Sequence, residues 1–260
     1  MKKVVYAIAG LLALIVYQNC SELSTSSSPT QNDESSPLGL SPTGDPINPK
    51  LEDLSGAGLV YYYLGGKRGL ILCFHGTGGS AQGWANDNDD KQAFLIEMAQ
   101  LGYSFVCPTS GNRTSRQWNN TNDNTNSDVT MIDNLLQRQN LDTSTPIILV
   151  GHSNGGGFTS RYFAFSNFSA QVVAIQLSNA SGIAPILRHP DYDVPTLFNY
   201  ADCDPIVNAN SVRANQQVLA GKNPPVTFID NDLDDTYNGG SYENCHKFVN
   251  TSDRVLDLIQ

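Results

Sequence analysis

The chain has 260 residues, a net charge of −10 and 40% hydrophobic residues. This length suits one domain with a hydrophobic core. Ten excess negative charges would repel a phosphate backbone, and no basic cluster follows Lys2 and Lys3, so we expect no nucleic-acid partner. Charged residues make up 15% of the chain, below the about 25% of average soluble proteins. The surface depends instead on Asn, Ser, Thr and Gly, which is typical of exported proteins.

Residues 1–20 have the pattern of a secretory signal peptide, in which a basic start precedes an apolar run over residues 4–17. The run is shorter than the about 20 residues that span a bilayer. Cys20 stands where a bacterial lipoprotein carries its lipid, although residues 17–19 lack the small side chains of a lipobox. Two destinations therefore stay open: a secreted, extracellular protein, and a cell-surface lipoprotein tethered to a membrane through Cys20.

Residues 21–55 are rich in Ser, Pro and Thr and contain almost no large apolar side chain. Such a segment buries too little surface to offset its chain entropy. We predict a disordered linker over residues 21–55 and a folded domain over residues 56–260.

The folded domain alternates apolar runs with helical patterns. Strands are predicted at residues 59–64, 69–75, 103–107, 146–151, 171–177, 194–200 and 226–229. Helices are predicted at residues 91–100, 128–138, 211–220 and 246–259. The alternation and the nearly continuous apolar strands predict the α/β class, with a mostly parallel sheet covered by helices on both faces. Residues 178–193 are too few to form a substantial lid domain.

A G-x-S-x-G motif over residues 151–155 directly follows a buried apolar strand and precedes a helical pattern. In this context the serine stands on a tight, strained turn, and the flanking glycines leave room for it. We predict Ser153 as a nucleophile. The alternative is a glycine-rich turn without chemistry.

A serine hydroxyl needs a base, and the base needs a carboxylate to orient it. Asp202 and Asp204 follow the strand predicted at residues 194–200. We favour Asp204 because Pro205 and two aliphatic residues come after it, and we keep Asp202 as the alternative. His246 follows both acids in the chain, and we predict that it is the base.

Two backbone N–H groups would complete an acyl-transfer site by binding the oxyanion. The glycine-rich run over residues 75–80 follows a predicted strand. We assign one donor to Thr77, with Gly78 as the alternative, and the other to Asn154, the residue after the nucleophile. His75 is expected to hold this loop by hydrogen bonds. Trp84 and Trp118 lie in loops near the site, where each is either a substrate contact or a packing residue.

Apart from Cys20 the chain has four cysteines, which allow three disulfide pairings or buried free thiols. None has the spacing of a zinc site. The acidic run over residues 230–234 matches part of a calcium loop, but Asp235 stands where that loop needs glycine. We therefore predict no metal.

In order, the motifs F-H-G-T-G-G-S, G-H-S-N-G-G, D-C-D-P-I-V and C-H resemble those of the α/β-hydrolase superfamily, from residue 59 to the C-terminus. Residues 118–132 and 151–156 are similar to those of esterases grouped with polyhydroxybutyrate depolymerases and feruloyl esterases. The Trp-Pro-Gly that often follows the histidine in that group is absent. A further similarity is to cutinase-like polyester hydrolases, some of which join the acid loop to the histidine loop by a disulfide, and this implies a bridge between Cys203 and Cys245.

The resemblance implies a serine esterase with the triad Ser153, Asp204 and His246, acting through an acyl-enzyme on a small-molecule or polymeric ester. No cofactor is needed, and we expect a monomer. A peptidase or acyltransferase with the same triad is the alternative among enzymes. A surface binding protein on a hydrolase scaffold is the alternative without catalysis.

Overall fold

The computed structural model of the chain describes residues 38–85, 89–140, 144–201, 204, 206–220, 226–230 and 245–259. All of these belong to one compact unit, Pro37–Gln260. The predicted signal peptide, including Cys20, lies outside the described residues. Within the described ranges, no helix is both long and apolar enough to cross a membrane.

The described part of the chain contains one eight-stranded sheet, with strand order β1-β2-β4-β3-β5-β6-β7-β8. The strands are β1 (Lys50–Leu54), β2 (Gly58–Tyr63), β3 (Gly69–Phe74), β4 (Tyr103–Pro108), β5 (Ile147–His152), β6 (Val172–Ser178), β7 (Thr196–Tyr200) and β8 (Val226–Asp230). Strands β3 to β8 are mutually parallel, whereas β1 and β2 are antiparallel to their neighbours. The prediction of a mostly parallel sheet is confirmed.

Helices cover both faces of the sheet. They are α1 (Ala81–Ala85), α2 (Asp89–Gln100), α3 (Ser127–Arg138), α4 (Asn154–Phe165), α5 (Ala184–Leu187), α6 (Ala209–Leu219) and α7 (Ser252–Leu258). Residues of α3, α4 and α6 belong to one apolar cluster, and those of α1, α2 and α7 to a second. On β3, Leu70 and Leu72 belong to the first cluster, while Ile71 and Cys73 belong to the second. This alternation explains why the central strands are apolar at consecutive positions.

The ordered fold begins earlier than the sequence predicts. Residues 38–55, assigned above to a disordered linker, include an isolated bridge between Leu40 and Pro46 and the edge strand β1. Ile47 is fully buried in the cluster beside α1 and α2, and this burial anchors the segment. Strand β1 was not predicted because its residues are mostly charged and exposed, so it has no apolar pattern. Residues 21–37 lie outside the described residues.

The C-terminal helix is shorter than predicted. Residues 246–251 are not helical, and α7 begins at Ser252. The N-cap is Thr251, and the side chain of Asn250, one position before it, accepts a hydrogen bond from the Ser252 N–H at 3.1 Å. Between β6 and β7, residues 179–195 are all described and contain only the four-residue helix α5, in agreement with the prediction of no substantial lid.

Candidate active site

Ser153 lies on the turn between β5 and α4, at the carboxyl end of a central strand. Its backbone has φ 53° and ψ −119°, a region that residues with a side chain rarely adopt. Its N–H donates to the Ser178 carbonyl at the end of β6, at 2.9 Å. The carbonyl of Ser153 in turn accepts from Gly156, at 2.9 Å. These bonds hold the serine in the strained conformation that a nucleophile elbow requires.

The glycines of the motif are required by close packing around this turn. A Cβ on Gly151 would lie 2.5 Å from the Gly155 carbonyl oxygen. One on Gly155 would lie 2.2 Å from the carbonyl oxygen of Phe74, at the end of β3. Gly156, which directly follows the motif, packs against Ala180 and leaves no room for a methyl group either. The glycines therefore bring the start of α4 against the ends of β3 and β6.

The loop after β3 passes beside the serine. A Cβ on Gly76 would lie 3.2 Å from the Cβ of Ser153, so this loop is in close contact with the elbow. Thr77 is the next residue of the loop. Within the described ranges, the N–H groups of Thr77 and Asn154 have no hydrogen-bond acceptor. The N–H of Gly78, the alternative donor, bonds to the Arg116 carbonyl at 3.2 Å. Two backbone donors, one on the loop after β3 and one next to Ser153 in the chain, are thus without an acceptor among the described residues.

The segment from Arg116 to Trp118 ties this loop to the elbow. The indole N–H of Trp118 donates to the His75 carbonyl at 2.8 Å, and the Trp118 backbone N–H donates to Asn154 Oδ1 at 2.9 Å. The Arg116 guanidinium donates to the Gly78 carbonyl at 3.3 Å. These hydrogen bonds were not predicted, because they join residues about 40 positions apart in sequence.

His75 stabilises the same loop by hydrogen bonds, as predicted. Its Nε2 accepts from the Ser110 N–H at 3.0 Å, so the proton of the neutral ring lies on Nδ1, which donates to the Gly76 carbonyl at 2.7 Å. Burial lowers the pKa of His75 to about 4, and the nearby Lys91 and arginines act in the same direction. The ring is therefore neutral at pH 7 and serves as a fixed donor and acceptor.

Asp204 and His246 form a buried pair. The Nδ1 of His246 lies 2.7 Å from Asp204 Oδ2, and the side chains of His246 and Asp204 are 6% and 0% exposed. The other carboxylate oxygen accepts from the N–H groups of Ile206 and Val207, at 2.8 and 3.0 Å. The carboxylate therefore has fixed partners on both oxygens and orients the imidazole. Asp202, the alternative acid, lies outside the described residues.

The segment that carries the histidine, residues 246–251, is held by side chains from three neighbouring strand ends. Three side chains donate to main-chain carbonyls: His152 Nε2 to that of His246 (3.1 Å), Asn179 Nδ2 to that of Lys247 (2.6 Å) and Asn199 Nδ2 to that of Val249 (3.3 Å). Gln176 Nε2 donates to Thr251 Oγ1 at 2.8 Å. Phe248 anchors the segment by packing fully buried against Trp84 and Phe94. His152 belongs to the motif found around Ser153 in the sequence. The sequence does not single out Gln176, Asn179 or Asn199, because nothing in their local pattern distinguishes them from other polar residues in or after strands.

His152 connects the elbow to the histidine segment. Its ring centroid is 5.2 Å from that of His246, and burial lowers its pKa well below the usual value. Lys91 and His246 lower that pKa further. A neutral His152 has one N–H, and the bond to the His246 carbonyl places it on Nε2. The residue beside Ser153 thus positions the main chain of His246.

Both tryptophans considered as substrate contacts are buried. Trp84 has no exposed surface and packs edge-on against Phe248, while Trp118 is 3% exposed and stacks on Phe158. Their packing is that of core residues. Cys73 and Cys107 are buried free thiols, and Cys245 is disulfide-bonded. Cys203 lies outside the described residues, as does most of the acidic run over residues 230–234.

Comparison with solved structures shows the α/β-hydrolase fold. Est1E from Butyrivibrio proteoclasticus, solved with ferulic acid, has a TM-score of 0.50 and 15% identity, covering 77% of this chain and 92% of its own. The esterase Pf2001 from Pyrococcus furiosus has a TM-score of 0.51 and 14% identity, covering 67% and 77%. A predicted CIB-like hydrolase from Thermoplasma acidophilum has a TM-score of 0.50 and 14% identity, covering 71% and 87%. No family model and no curated protein matches the sequence.

Proposed function

We propose that the chain is a serine hydrolase that cleaves carboxylic esters through an acyl-enzyme. The observation that carries the proposal is the His246–Asp204 pair, with its 2.7 Å bond, joined through His152 to a serine in a strained elbow. A buried pair of this kind gives the imidazole one fixed tautomer, with its proton on Nδ1 and a lone pair on Nε2. That lone pair can accept the hydroxyl proton of a serine nucleophile.

In the proposed reaction, Nε2 of His246 takes the proton of Ser153 as the hydroxyl attacks the ester carbonyl. Asp204 stabilises the imidazolium that forms. The N–H groups of Thr77 and Asn154, which have no other acceptor within the described ranges, bind the oxyanion. His246 then protonates the leaving alcohol, and a water activated by the same imidazole hydrolyses the acyl-enzyme.

The substrate class we propose is an exposed ester, on a small molecule or a polymer. The short connection between β6 and β7 supports this, because residues 179–195 form no domain that would enclose a long acyl chain. The triad alone does not distinguish an esterase from a peptidase or an acyltransferase, since all three transfer an acyl group. The leaving group must therefore be tested directly.

We further propose that the enzyme is exported, by secretion or as a lipoprotein through Cys20, and that it acts as a monomer. A bridge between Cys203 and Cys245 is proposed as well. Its support is that Cys245 is disulfide-bonded while the thiols of Cys73 and Cys107 are free. Such a bridge would limit how far the loops of Asp204 and His246 separate. Mass spectrometry of unreduced proteolytic peptides tests the pairing.

The function is tested by hydrolysis of p-nitrophenyl acetate, butyrate and palmitate, with Ser153→Ala as the matched variant. We expect the wild type to prefer the short chains and Ser153→Ala to lose about 10⁴-fold or more of kcat, as in other serine hydrolases. Folding of the variant is checked by its circular dichroism. If folded, oxidised wild type is no faster than Ser153→Ala on any of the three esters, the esterase proposal is wrong.

A further inference from the structure

Arg161 presents a cationic group beside the proposed active site. This arginine lies on α4, and Nη1 of its guanidinium is 3.5 Å from the position that a Cβ on Gly157 would take. Side chains on a helix point back towards its N-terminus, which explains why the guanidinium reaches the first turn. Gly157 donates to the Ser153 carbonyl at 3.3 Å, so Gly157, which the guanidinium approaches, lies about one helical turn from Ser153, or about 6 Å along the axis.

The exposed surface of α4 connects these groups. Between Ser153 and Arg161, only Ser153, Asn154 and Gly157 are partly exposed, and the others are buried. Positions 154, 157 and 161 share one helix face because they are three and four residues apart. Ile183 borders the same space, 3.8 Å from the Cβ position of Gly157. A ligand covering Ser153 and Asn154 would therefore extend across Gly157 to the guanidinium.

The charge of Arg161 is not neutralised by the described part of the protein. The side chain is nine-tenths buried, and its Nε donates to Asn122 Oδ1, a neutral acceptor, at 2.8 Å. Among the described residues, its two Nη groups have no acceptor and no carboxylate lies within ion-pair distance. Burial lowers the pKa of the guanidinium, as expected for a cation without a counterion.

Burying a cation without a counterion costs free energy. The chain has 25 acidic and 15 basic residues, so carboxylates that could pair with Arg161 are abundant in the sequence. A guanidinium offers two parallel N–H donors that match a carboxylate, and Asn122 fixes the orientation of this one through Nε. We propose that Arg161 binds a carboxylate of the substrate, so that the preferred substrate is an ester that also carries a free carboxylate. This inference rests on the proposed ester hydrolysis.

Two methyl esters of equal length test the inference. Monomethyl adipate and methyl hexanoate have the same four-methylene chain and differ only in whether it ends in a carboxylate or a methyl group. Their kcat/KM values are measured by titration of the released acid at constant pH. We expect the wild type to favour monomethyl adipate at least tenfold, and Arg161→Gln to reduce that ratio at least tenfold. Arg161→Lys, which keeps the charge without the paired donors, should be intermediate.

Arg188→Gln is the matched control, because it removes the same charge from an exposed position near α5. It should keep the wild-type ratio. Thermal unfolding of Arg161→Gln shows whether the variant is folded. A wild type without preference for the carboxylate, or an equal fall of the ratio in both glutamine variants, would overturn the inference.

Binding separates this inference from the proposed reaction. In Ser153→Ala, calorimetry should detect monomethyl adipate, and adding Arg161→Gln should weaken that binding at least tenfold. If the wild type hydrolyses neither ester but binding still depends on Arg161, the carboxylate site stands and the esterase proposal fails. If both esters are hydrolysed and binding is independent of Arg161, the esterase proposal stands and the carboxylate site fails.

Discussion

The elbow that carries Ser153 and the segment that carries His246 reach the same end of the sheet by different means. The elbow is held by its own backbone, through glycines at 151, 155 and 156 that admit close contacts with β3 and β6. The histidine segment is held by side chains from other parts of the chain, whose donors come from His152, Gln176, Asn179 and Asn199. The elbow is thus specified by glycines that lie close together in sequence, and the histidine segment by side chains from distant parts of the chain.

This difference predicts how each region responds to substitution. In the elbow, one added methyl group collides with main-chain atoms that cannot move independently. In the histidine segment, loss of one side-chain donor leaves the other three and the buried Phe248 in place. Damage to the elbow should therefore reduce stability, whereas damage to the histidine segment should reduce turnover with a smaller loss of stability.

The largest effect in this comparison is expected at Asp204, the proposed acid that orients His246. In Asp204→Asn, the amide oxygen can still accept from Ile206 and Val207, but its NH₂ then faces Nδ1 of His246 and favours the wrong tautomer. We expect kcat for p-nitrophenyl butyrate to fall about 10⁴-fold, the loss seen for this change in a known triad. Steady-state kinetics measure it.

Asp191→Asn is the matched control for this prediction. Asp191 lies 3.6 Å from His189 in another His–Asp pair of the described residues, and both side chains are mostly exposed. We expect no change in kcat from Asp191→Asn. Equal kinetics for the two variants would show that Asp204 does not orient the base.

The second largest effect is expected on stability, and it compares two glycines in the first turn of α4. A Cβ added at Gly155 would lie 2.2 Å from the Phe74 carbonyl oxygen, whereas one added at Gly157 meets nothing closer than 3.5 Å. We expect Gly155→Ala to lose about 3 kcal/mol or more of unfolding free energy through overpacking against backbone. Gly157→Ala should gain up to about 1 kcal/mol from the helix propensity of alanine. Urea denaturation compares them, and similar stabilities would mean that close packing does not specify the elbow.

The same contrast explains which features could be predicted from the sequence. Ser153, Thr77 and Asn154 could be predicted as site residues because glycine spacing after an apolar strand is a local pattern with a steric cause. The seven predicted strands agree with the structure because a sheet covered on both faces needs apolar residues at consecutive positions. Asp204 was preferred because of the residues after it, and the N–H groups of Ile206 and Val207 do bind its carboxylate.

The failures have equally physical causes. The helix predicted from residue 246 begins only at Ser252, because side chains of other strands, and not a helical turn, satisfy the carbonyls of His246, Lys247 and Val249. Asn250 and the N-cap residue Thr251 are residue types favoured at helix starts, and this pattern could have corrected the boundary. Strand β1 was missed because an exposed edge strand has no apolar periodicity to detect.

A third effect concerns His75, which is neutral in the folded loop. Its folded pKa of about 4 lies below the value of the unfolded chain, near 6.5, so the unfolded state binds more protons between these values. Stability from this residue is therefore present above about pH 6.5 and is lost as the pH falls towards 4. Between pH 7 and 4.5 we expect a loss of about 2 kcal/mol. Urea denaturation of the wild type and of His75→Gln, whose amide does not titrate, measures the difference. An identical loss in both proteins would assign it to other groups.

The smallest effect is expected at Asn179, whose Nδ2 bonds to the carbonyl next to His246. Asn179 has φ 45°, so Asn179→Gly removes the side chain without introducing backbone strain. Its Oδ1 is buried without a partner among the described residues, and losing that unpaired oxygen offsets part of the cost of losing the donor. We therefore expect a stability loss of only about 1 kcal/mol.

The catalytic effect of Asn179→Gly should exceed what this stability loss suggests. The Lys247 carbonyl, next to His246 in the chain, loses this donor, so kcat should fall about tenfold. We expect KM to stay within about twofold, because the lost bond positions the proposed base and not the substrate. Asn199→Ala is the comparison, because its bond of 3.3 Å reaches Val249, three residues from His246. A smaller fall in kcat is expected there. If the two variants lower kcat equally, the histidine segment moves as one rigid unit, and the contact beside His246 has no special role in positioning the base.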